Sequence, residues 1–133
     1  MNLYDYFENT EGLGVLATAD SAGKVDAAIY ARPHVTDENT VAFIMREHLT
    51  HQNLQSNPHA AYLFVEKGPG YVGKRLYLTK LREESDPALI DSLRRRTPKI
   101  SREDASKEHV VYFRIDRIRP LVGNGGTDSG DSA

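Results

Sequence analysis

The sequence contains no cysteine and no tryptophan. Without thiols, the chain cannot form disulfides, use a cysteine nucleophile, or hold thiolate-bound zinc or an iron–sulfur cluster. A long apolar run is also missing, and the first residues, MNLYDYFENTEG, are acidic. Neither a membrane-spanning segment nor a signal peptide is therefore expected. These absences together predict a soluble, cytoplasmic protein.

An excess of basic charge is missing as well. The sequence has 17 Lys and Arg residues against 19 Asp and Glu residues, so its formal net charge is −2. General nucleic-acid binding needs a basic surface. We therefore expect no nucleic-acid partner, and no membrane partner either. The 133 residues, of which 39% are hydrophobic, suit a single domain with its own core.

Short apolar segments bounded by Gly, Pro and polar residues run through the chain and predict about six strands. Most connections between them are too short for crossover helices, which favours a small antiparallel barrel over a parallel α/β sheet. The predicted strands cover residues 12–19, 25–35, 41–45, 59–66, 75–83 and 109–122.

Two or three short helices complete the predicted elements. The first residues place apolar side chains at helical spacing. A second helix should stop at Asn57, because a residue that precedes proline disfavours the helical conformation. A third should have Ser85 or Asp86 as its cap and Pro87 in its first turn. The arginines at 94–96 then form either a basic patch or, more simply, a solvated helix end that the helix dipole favours.

The segment REHLTHQNLQSNPHA, residues 46–60, allows three interpretations. His48 and His51 would share one face of a helix, as in some metal sites, but no carboxylate or further histidine lies at a supporting spacing. No metal site is therefore predicted. A helix that begins at Thr50 or His51 would point free backbone N–H groups at an anion, with Arg46 and His48 adding charge. Thr50 could equally be a plain helix cap, and the residues alone leave these two alternatives open.

Other polar residues give weaker signals. Arg32, just before Pro33, either extends into solvent from a strand end or faces an anion. Lys74 and Arg75 follow a glycine-rich loop, but the loop lacks the Gly-Lys-Ser/Thr pattern of nucleotide-hydrolysing proteins. No nucleophile motif and no paired-carboxylate site is visible, so the catalytic residues stay unknown. A bound cofactor would best supply any difficult chemistry.

Three stretches occur in a familiar order: GVLATADSAGKVDAAIYARPHV, TVAFIMREHLTHQNLQSNPHAAYLF and GKRLYLTKLRE. In this order they resemble the pyridoxamine 5′-phosphate oxidase-like family of FMN-binding split barrels. The most specific piece is the helix ending of the form Asn-Leu-x-x-Asn-Pro, here Asn53, Leu54, Asn57 and Pro58, followed by a strand. The resemblance covers residues 3–122, which is nearly the whole chain.

The resemblance implies a mainly β fold with a few short helices, in which six antiparallel strands form a Greek-key-like split barrel. The FMN-binding domain would cover residues 1–122. The Gly-, Asp- and Ser-rich residues 123–133 would form a flexible tail. A homodimer would bind FMN at its subunit interface and transfer two electrons to or from a small-molecule redox substrate.

The resemblance also implies which positions bind the cofactor. The end of the second strand would line the flavin and its phosphate, and the end of the third strand would run along the flavin ring. The loop and helix that follow would wrap the phosphate, and basic residues of a later strand would approach from the partner or a neighbouring strand. Carried over by position, these residues are Ile29, Tyr30, Ala31, Arg32, Met45, Arg46, His48, Leu49, Thr50, His51, Asn53, Lys74 and Arg75.

Two departures from the family pattern narrow the function. Many relatives have an Arg-Lys pair where Leu49 and Thr50 stand, so Arg32, Arg46 or a histidine must meet the phosphate charge. The C-terminal segment with Trp and Arg that the true oxidases use for substrate has no counterpart, so pyridoxamine phosphate oxidation is not expected. The sequence therefore predicts a small FMN-dependent oxidoreductase. The alternatives are a non-catalytic flavin carrier or redox sensor, and a haem-binding split barrel.

Overall fold

The computed structural model describes residues 2–94 and 107–123. Within them the chain forms three helices, α1 (Leu3–Asn9), α2 (Leu49–Ser56) and α3 (Pro87–Leu93). The strands are β1 (Gly12–Ala19), β2 (Val25–Ile29), β3 (His34–Asp37), β4 (Thr40–Arg46), β5 (His59–Glu66), β6 (Gly73–Glu84) and β7 (Glu108–Pro120). Residues 124–133 of the predicted tail lie outside the described residues. None of the three described helices is long and apolar enough to cross a membrane.

The strands form one antiparallel sheet in the order β2-β1-β5-β6-β7-β4-β3. Most pairs join strands that are neighbours in sequence, whereas β1 with β5 and β4 with β7 pair over long distances. Side chains from β1, β4, β5, β6 and β7 share one hydrophobic core, so the sheet wraps around it. The sheet does not close, because β2 and β3 form its two ends. The predicted mainly β, antiparallel split-barrel fold is therefore confirmed.

The structure has seven strands in its described part, where the sequence predicted six. The stretch 25–35, predicted as one strand, is two: β2 pairs with β1, β3 pairs with β4, and residues 30–33 belong to neither ladder. Pro33 explains the break, because proline has no N–H to donate and restricts the residue before it. The prediction of one continuous strand was wrong at this point, and the break is where the barrel is split.

An aromatic core fills the curve of the sheet. Phe7 from α1 is fully buried and packs edge-to-face on Phe64 of β5, with ring centroids 5.3 Å apart. Tyr62 contacts both Phe7 and Phe43 of β4, at centroid distances of 6.3 and 5.0 Å. Such aromatic pairs add about 0.5–1.5 kcal/mol each beyond the burial of their surface. The rings therefore hold α1, β4 and β5 to one another.

Gly14 of β1 has no side chain, and this lets the segment that follows β2 pass close to β1. A Cβ atom on Gly14 would lie 1.9 Å from the Tyr62 hydroxyl and 2.7 Å from the Tyr30 carbonyl oxygen, so no larger residue fits. The Tyr30 N–H donates to the Gly14 carbonyl at 3.0 Å, one residue beyond the end of β2. Gly14 therefore fixes the path of the chain as it leaves the sheet.

Helix α2 begins earlier than predicted. His48 is its N-cap, without a side-chain cap hydrogen bond, and Thr50 lies buried in its first turn. The prediction that the helix starts at Thr50 or His51 was therefore wrong, as was the alternative that Thr50 caps it. The other end agrees with the prediction, because the helix stops at Ser56 and Asn57 is its C-cap.

Candidate functional site

A cavity of about 470 Å³ opens where the barrel is split, between the segment that leaves β2 and the end of β4. Its volume lies in the range of small-molecule sites, roughly 300–1,000 Å³. We call it the split pocket. Its lining residues are Ala28, Ile29, Tyr30, Ala31, Arg32, His34, Phe43, Ile44, Met45, Arg46, His48, Thr50, Arg94 and Glu108.

One border of the split pocket is a strand edge. The ladder between β3 and β4 stops at the pair of His34 and Ala42, while β4 continues to Arg46. From Phe43 to Arg46, β4 therefore has no strand partner on this side among residues 2–94 and 107–123. An open strand edge presents backbone N–H and C=O groups. A planar polar ligand can hydrogen-bond to the main chain here.

The opposite wall of the split pocket is tied down through its main chain. The Tyr62 hydroxyl lies 3.2 Å from the Tyr30 carbonyl oxygen and 3.1 Å from that of Ala31. Arg32 Nη1 donates to two main-chain carbonyls at the end of α1, at 2.9 and 2.7 Å. Basic side chains commonly bind the last carbonyls of a helix in this way. The wall is thus fixed both to the core and to α1.

Positive charge predominates in the split pocket. Arg32, Arg46 and Arg94 line it, and Glu108 is the one carboxylate among the described lining residues. Arg46 lies opposite Glu108 in the β4–β7 ladder and forms an ion pair with it at 3.3 Å. Arg94 donates to the other oxygen of the same carboxylate. Three guanidinium groups and one carboxylate among the described lining residues make the pocket suited to an anion.

Arg94 also has an unused donor. Its Nε atom is buried and has no hydrogen-bond partner within the described part of the chain. An unpaired buried donor costs about 1–3 kcal/mol, and an acceptor that reached Nε after a movement of the side chain would remove that cost. Arg94 itself lines the split pocket, so it adds a cationic donor group to a lining that fits an anionic ligand.

A tyrosine and a threonine add donors to the same site. Burial raises the pKa of Tyr30 above its ordinary value of 10.0; a hydrogen bond with Thr50 opposes this rise and the charge of Asp26 adds to it. Tyr30 therefore keeps its proton at neutral pH. Thr50 lies in the first turn of α2, where backbone N–H groups lack partners within the helix. The side of the pocket formed by His48 and Thr50 thus faces an anion favourably.

Many of the residues predicted to bind the cofactor meet in the split pocket. They come from the end of β2 and the segment after it, from the end of β4, and from the start of α2. These residues are Ile29, Tyr30, Ala31, Arg32, Met45, Arg46, His48 and Thr50.

The remaining predicted residues are not among those that line the split pocket: Leu49, His51, Asn53, Lys74 and Arg75. Leu49 is half exposed. Asn53 is buried and donates to the Thr18 hydroxyl at 3.0 Å, which braces α2 against β1. Lys74 lies over a tyrosine ring of α1, and Arg75 donates to main-chain carbonyls at and after the end of β7.

Sequence reasoning missed Arg94 and Glu108. The arginines at 94–96 were predicted to be solvated, and for Arg94 this is wrong: its side chain is only 15% exposed and pairs with Glu108. The other two arginines of the run lie outside the described residues. Opposite charges at Arg46 and Glu108 could have suggested a cross-strand pair, but only once the pairing of β4 with β7 is known.

A second group of ionisable side chains lies between α2 and the β6–β7 pair. His51 Nε2 is 2.8 Å from Glu83 Oε1, and His109 Nδ1 is 3.3 Å from the same oxygen. His109 Nε2 is 2.7 Å from Glu47 Oε2. We call these four residues the histidine cluster. Burial alone would raise the pKa of Glu83, but hydrogen bonds from Lys80 and other neighbours outweigh it and lower the pKa to about 2.

The sequence matches no family model, and it matches no curated protein either. Solved structures do match. An FMN-binding protein from Syntrophomonas wolfei subsp. wolfei is 15% identical, with a TM-score of 0.73, over 90% of this chain and 84% of that one. An F420 reductase is 17% identical, with a TM-score of 0.71, over 89% of this chain and 97% of that one.

A third structural match bears directly on the resemblance. It is a protein from Clostridium acetobutylicum related to general stress protein 26, of the pyridoxinephosphate oxidase family. It is 13% identical to this chain, with a TM-score of 0.62, over 89% of this chain and 87% of that one. At such identities the likeness concerns the fold. This chain therefore has the fold of FMN-binding and pyridoxine phosphate oxidase-family proteins, in agreement with the sequence resemblance.

Proposed function

We propose that this chain binds FMN in the split pocket and transfers electrons between FMN and a small-molecule substrate. The observation that carries the proposal is the pocket itself, where three arginines line a cavity beside an open strand edge. One of them, Arg94, has a buried Nε without a partner among the described residues. Those features suit a ligand with an anionic group joined to a planar ring that carries donors and acceptors. The shared fold with an FMN-binding protein and an F420 reductase supports a flavin-type ligand.

Different residues of the split pocket would bind different parts of FMN. Arg46 and Arg94, with the first turn of α2 around Thr50, would hold the phosphate. Ile29 and Met45 would cover the faces of the ring, and the open edge of β4 would bind its polar rim. FMN supplies two-electron transfer when it is bound. The chain supplies position and exclusion of water.

We assign to Arg94 part of the role of neutralising the phosphate, which the sequence had assigned to Arg32. The resemblance seen in the sequence assigned this role to Arg32, Arg46 or a histidine. Arg32 Nη1 is engaged with the carbonyls at the end of α1, whereas Arg94 Nε has no acceptor among the described residues. Arg46 and Arg94 are therefore the better pair to test.

We further propose that a second copy of the chain completes the FMN site. Ile29 lines the split pocket yet is 67% exposed. It lies in a cross-strand row with Val15 of β1 and Leu63 of β5, so the three side chains share one face of the sheet. Leu63 is 36% exposed and nearby Leu13 is 51% exposed. An apolar face of this kind commonly marks an interface.

The first experiment is to purify the protein without added cofactor, record its absorption spectrum and identify what heat releases. The proposal expects a yellow protein that yields equimolar FMN. A colourless protein that also does not bind added FMN would overturn the proposal. A Soret band on addition of haem, without FMN binding, would favour the haem-binding alternative.

Arginine variants test the assignment of the phosphate site. Arg46→Gln and Arg94→Gln should each weaken FMN binding by about tenfold or more, because each removes a charged hydrogen bond to the phosphate. Arg114→Gln, an exposed arginine of β7 that pairs with Asp116, is the control and should bind as the wild type does. Wild-type affinity for FMN in both Arg46→Gln and Arg94→Gln would contradict the phosphate assignment.

Interface formation is tested by a separate pair of leucine variants. Leu63→Glu should produce a monomer that has lost FMN, because a carboxylate cannot be buried in an apolar interface. Leu81→Glu, at an exposed leucine of β6 outside the apolar row, should remain a dimer with FMN. Light scattering and the flavin spectrum report both properties. A wild-type monomer that binds FMN would overturn the dimer proposal but not the flavin proposal.

Turnover separates an oxidoreductase from a flavin carrier. The oxidoreductase proposal expects sustained oxidation of a reduced nicotinamide in the presence of an electron acceptor. Equimolar FMN with a single reduction and no sustained turnover across a panel of acceptors would favour the carrier or redox sensor.

A further inference from the structure

The histidine cluster brings together residues from four parts of the chain. His51 comes from α2, Glu83 from the end of β6, His109 from the start of β7, and Glu47 from the turn between β4 and α2. Both histidines are 8% exposed. The sequence argument against a metal rested on the lack of ligands near His48 and His51. The fold supplies ligands to His51 from a distance that spacing along the chain could not show.

We propose that His51 Nε2, His109 Nδ1 and Glu83 Oε1 bind a divalent transition-metal ion, with zinc as the best match. The three ligand atoms lie within 4.8 Å of one another. Around a tetrahedral zinc ion with bonds of about 2.0–2.1 Å, neighbouring ligand atoms are about 3.3 Å apart. His109 Nδ1 and Glu83 Oε1 already have this separation, 3.3 Å.

Binding by the third ligand requires a change in one distance and in the orientation of one ring. His51 Nε2 and Glu83 Oε1 are 2.8 Å apart, the distance of a direct hydrogen bond. Binding a metal between them would replace the hydrogen-bonded proton and lengthen this distance by about 0.5 Å. The two imidazole rings are stacked, with centroids 4.4 Å apart and planes at 11°. Because a ring nitrogen binds a metal in the plane of its ring, one of the two rings must also rotate when the ion binds.

The groups around the three ligands match the outer partners of a metal site. A metal-bound histidine commonly donates its other ring N–H to a carboxylate, and His109 Nε2 lies 2.7 Å from Glu47 Oε2. A metal-bound carboxylate is commonly hydrogen-bonded through its second oxygen. Glu83 Oε2 accepts from Lys80 Nζ at 2.6 Å and from Gln55 Nε2 at 3.0 Å. Glu83 Oε1 is thereby left for the metal.

Donor type selects the class of metal. The carboxylates of Glu47 and Glu83 would offset the charge of a divalent cation, in competition with the ammonium groups of Lys80 beside Glu83 and Lys107 near Glu47. Two imidazole nitrogens with one carboxylate oxygen suit zinc and similar first-row ions, whereas calcium and magnesium prefer oxygen ligands alone. Three protein ligands leave a fourth position open to water or another ligand.

A metal in the histidine cluster would fix α2 to β6 and β7. It would also orient Glu47, which stands between Arg46 and His48, two residues of the split pocket. The metal would therefore hold the turn that borders the anion site. Its existence does not depend on FMN, because none of its three ligands lines the split pocket.

Zinc binding by the tag-free, chelator-treated wild-type protein tests the proposal. Competition with a chromogenic zinc chelator should show equimolar uptake, and Co²⁺ should give the visible absorption of a tetrahedral site. X-ray absorption of the zinc complex should show two imidazole ligands, a measurement that needs no variant. Absence of saturable zinc binding by the wild type would overturn the proposal and leave the four residues as a hydrogen-bonded network.

Variants locate the ion. Glu83→Gln keeps the size of the side chain and should lower zinc affinity by more than about 100-fold, as should His109→Ala, because losing a ligand costs more than losing an outer partner. Glu47→Gln should lower it by about 10–100-fold. His59→Ala, at an exposed histidine of β5 outside the cluster, should bind as the wild type does. Wild-type affinity in folded Glu83→Gln and His109→Ala, checked by circular dichroism, would contradict the site. The flavin spectrum is recorded separately, so failure here is distinguishable from failure of the FMN proposal.

Discussion

The split pocket and the histidine cluster are built from adjacent residues of the same elements, yet they offer opposite surroundings. Arg46 and Glu108 face each other across the β4–β7 ladder and line the pocket. The next residue of β7, His109, points to the other face and joins the cluster, because side chains alternate along a strand. The start of α2 repeats the division. Its N-cap, His48, has an extended backbone and lines the pocket, whereas His51, inside the helix, contacts the carboxylate of the cluster. The two histidines therefore do not share one helix face, although their spacing suggested it.

The two sites also differ in how far the chain satisfies its own polar groups. The split pocket has excess positive charge and a buried Arg94 Nε without a partner among the described residues. In the histidine cluster, Glu83 accepts from Lys80, Gln55 and His51 at once. The pocket therefore keeps a donor that an anion could satisfy, while the cluster is already a hydrogen-bonded network that could also accept a cation. Substitutions at one site can therefore be judged with the other site as the reference.

The largest expected effect comes from Gly14→Ala, which should damage the wall of the split pocket and spare the histidine cluster. The added Cβ would lie 1.9 Å from the Tyr62 hydroxyl, so that residue and the main chain at Tyr30 must move. We expect a loss of at least about 3 kcal/mol of unfolding free energy, because overpacking is combined with lost hydrogen bonds. Chemical denaturation measures the loss, and FMN titration should show weaker binding.

Combining Gly14→Ala with Tyr62→Phe sharpens this test. The second change removes the atom nearest to the new Cβ and should restore part of the stability, although ring carbon Cζ would still lie 2.4 Å away. A double-mutant cycle measures this coupling. Fully additive losses would show that the clash is not the cause.

The next largest effect is an acid dependence that belongs to the histidine cluster. The pKa of Glu83 is about 2, below its ordinary value of 4.5, so its contribution is complete above pH 4.5 and is lost as the pH falls toward 2. Glu83→Gln should cost on the order of 3 kcal/mol at neutral pH and should flatten the stability curve in that window. Denaturation of metal-free protein between pH 2 and 7, with chelator present, measures both. Parallel curves for variant and wild type would contradict the assigned pKa.

Glu108→Gln should strengthen anion binding in the split pocket, whereas the arginine variants weaken it. Removing this carboxylate leaves Arg46 and Arg94 without their shared partner, which costs about 1–2 kcal/mol of stability. The same change removes the carboxylate that competes with a bound anion for both guanidinium groups, so phosphate or FMN should bind about tenfold more tightly. Calorimetric titration measures the affinity. Glu84→Gln, at an exposed glutamate that pairs with Arg82, is the control and should change neither property.

The sequence predicted the parts of this molecule that local physics decides. The apolar segments became strands, the proline after Asn57 ended α2, and Asp86 became the N-cap of α3, where it accepts from a backbone N–H at 3.0 Å. Pro33 carried a readable local signal too, because proline interrupts a ladder. Treating residues 25–35 as one strand ignored that signal, and with it the split at the centre of the candidate site.

The contacts that the sequence could not predict join residues far apart in the chain. Arg94 reaches Glu108 only because α3 lies against β7, and His109 reaches His51 only because α2 lies near the start of β7. Neither spacing nor periodicity encodes such pairs. The resemblance supplied the residues from β2, β4 and α2 that line the split pocket, because each is fixed by its place in a local motif. It did not supply Arg94, which lies outside that motif.

The smallest effect should come from Tyr30→Phe, which removes one hydroxyl from the split pocket. Its hydrogen bond with Thr50 is worth about 1 kcal/mol, and FMN affinity should fall only a few-fold. The informative readout is alkaline stability. Because burial raises the pKa of Tyr30 above 10.0, the unfolded chain ionises first, and the wild type should lose stability as the pH rises through that value. The phenylalanine variant should lose less over the same range, while zinc binding at the histidine cluster stays unchanged. Identical alkaline curves would mean that Tyr30 is solvated in the folded protein, and the pocket would then be more open than its hydrogen bonds indicate.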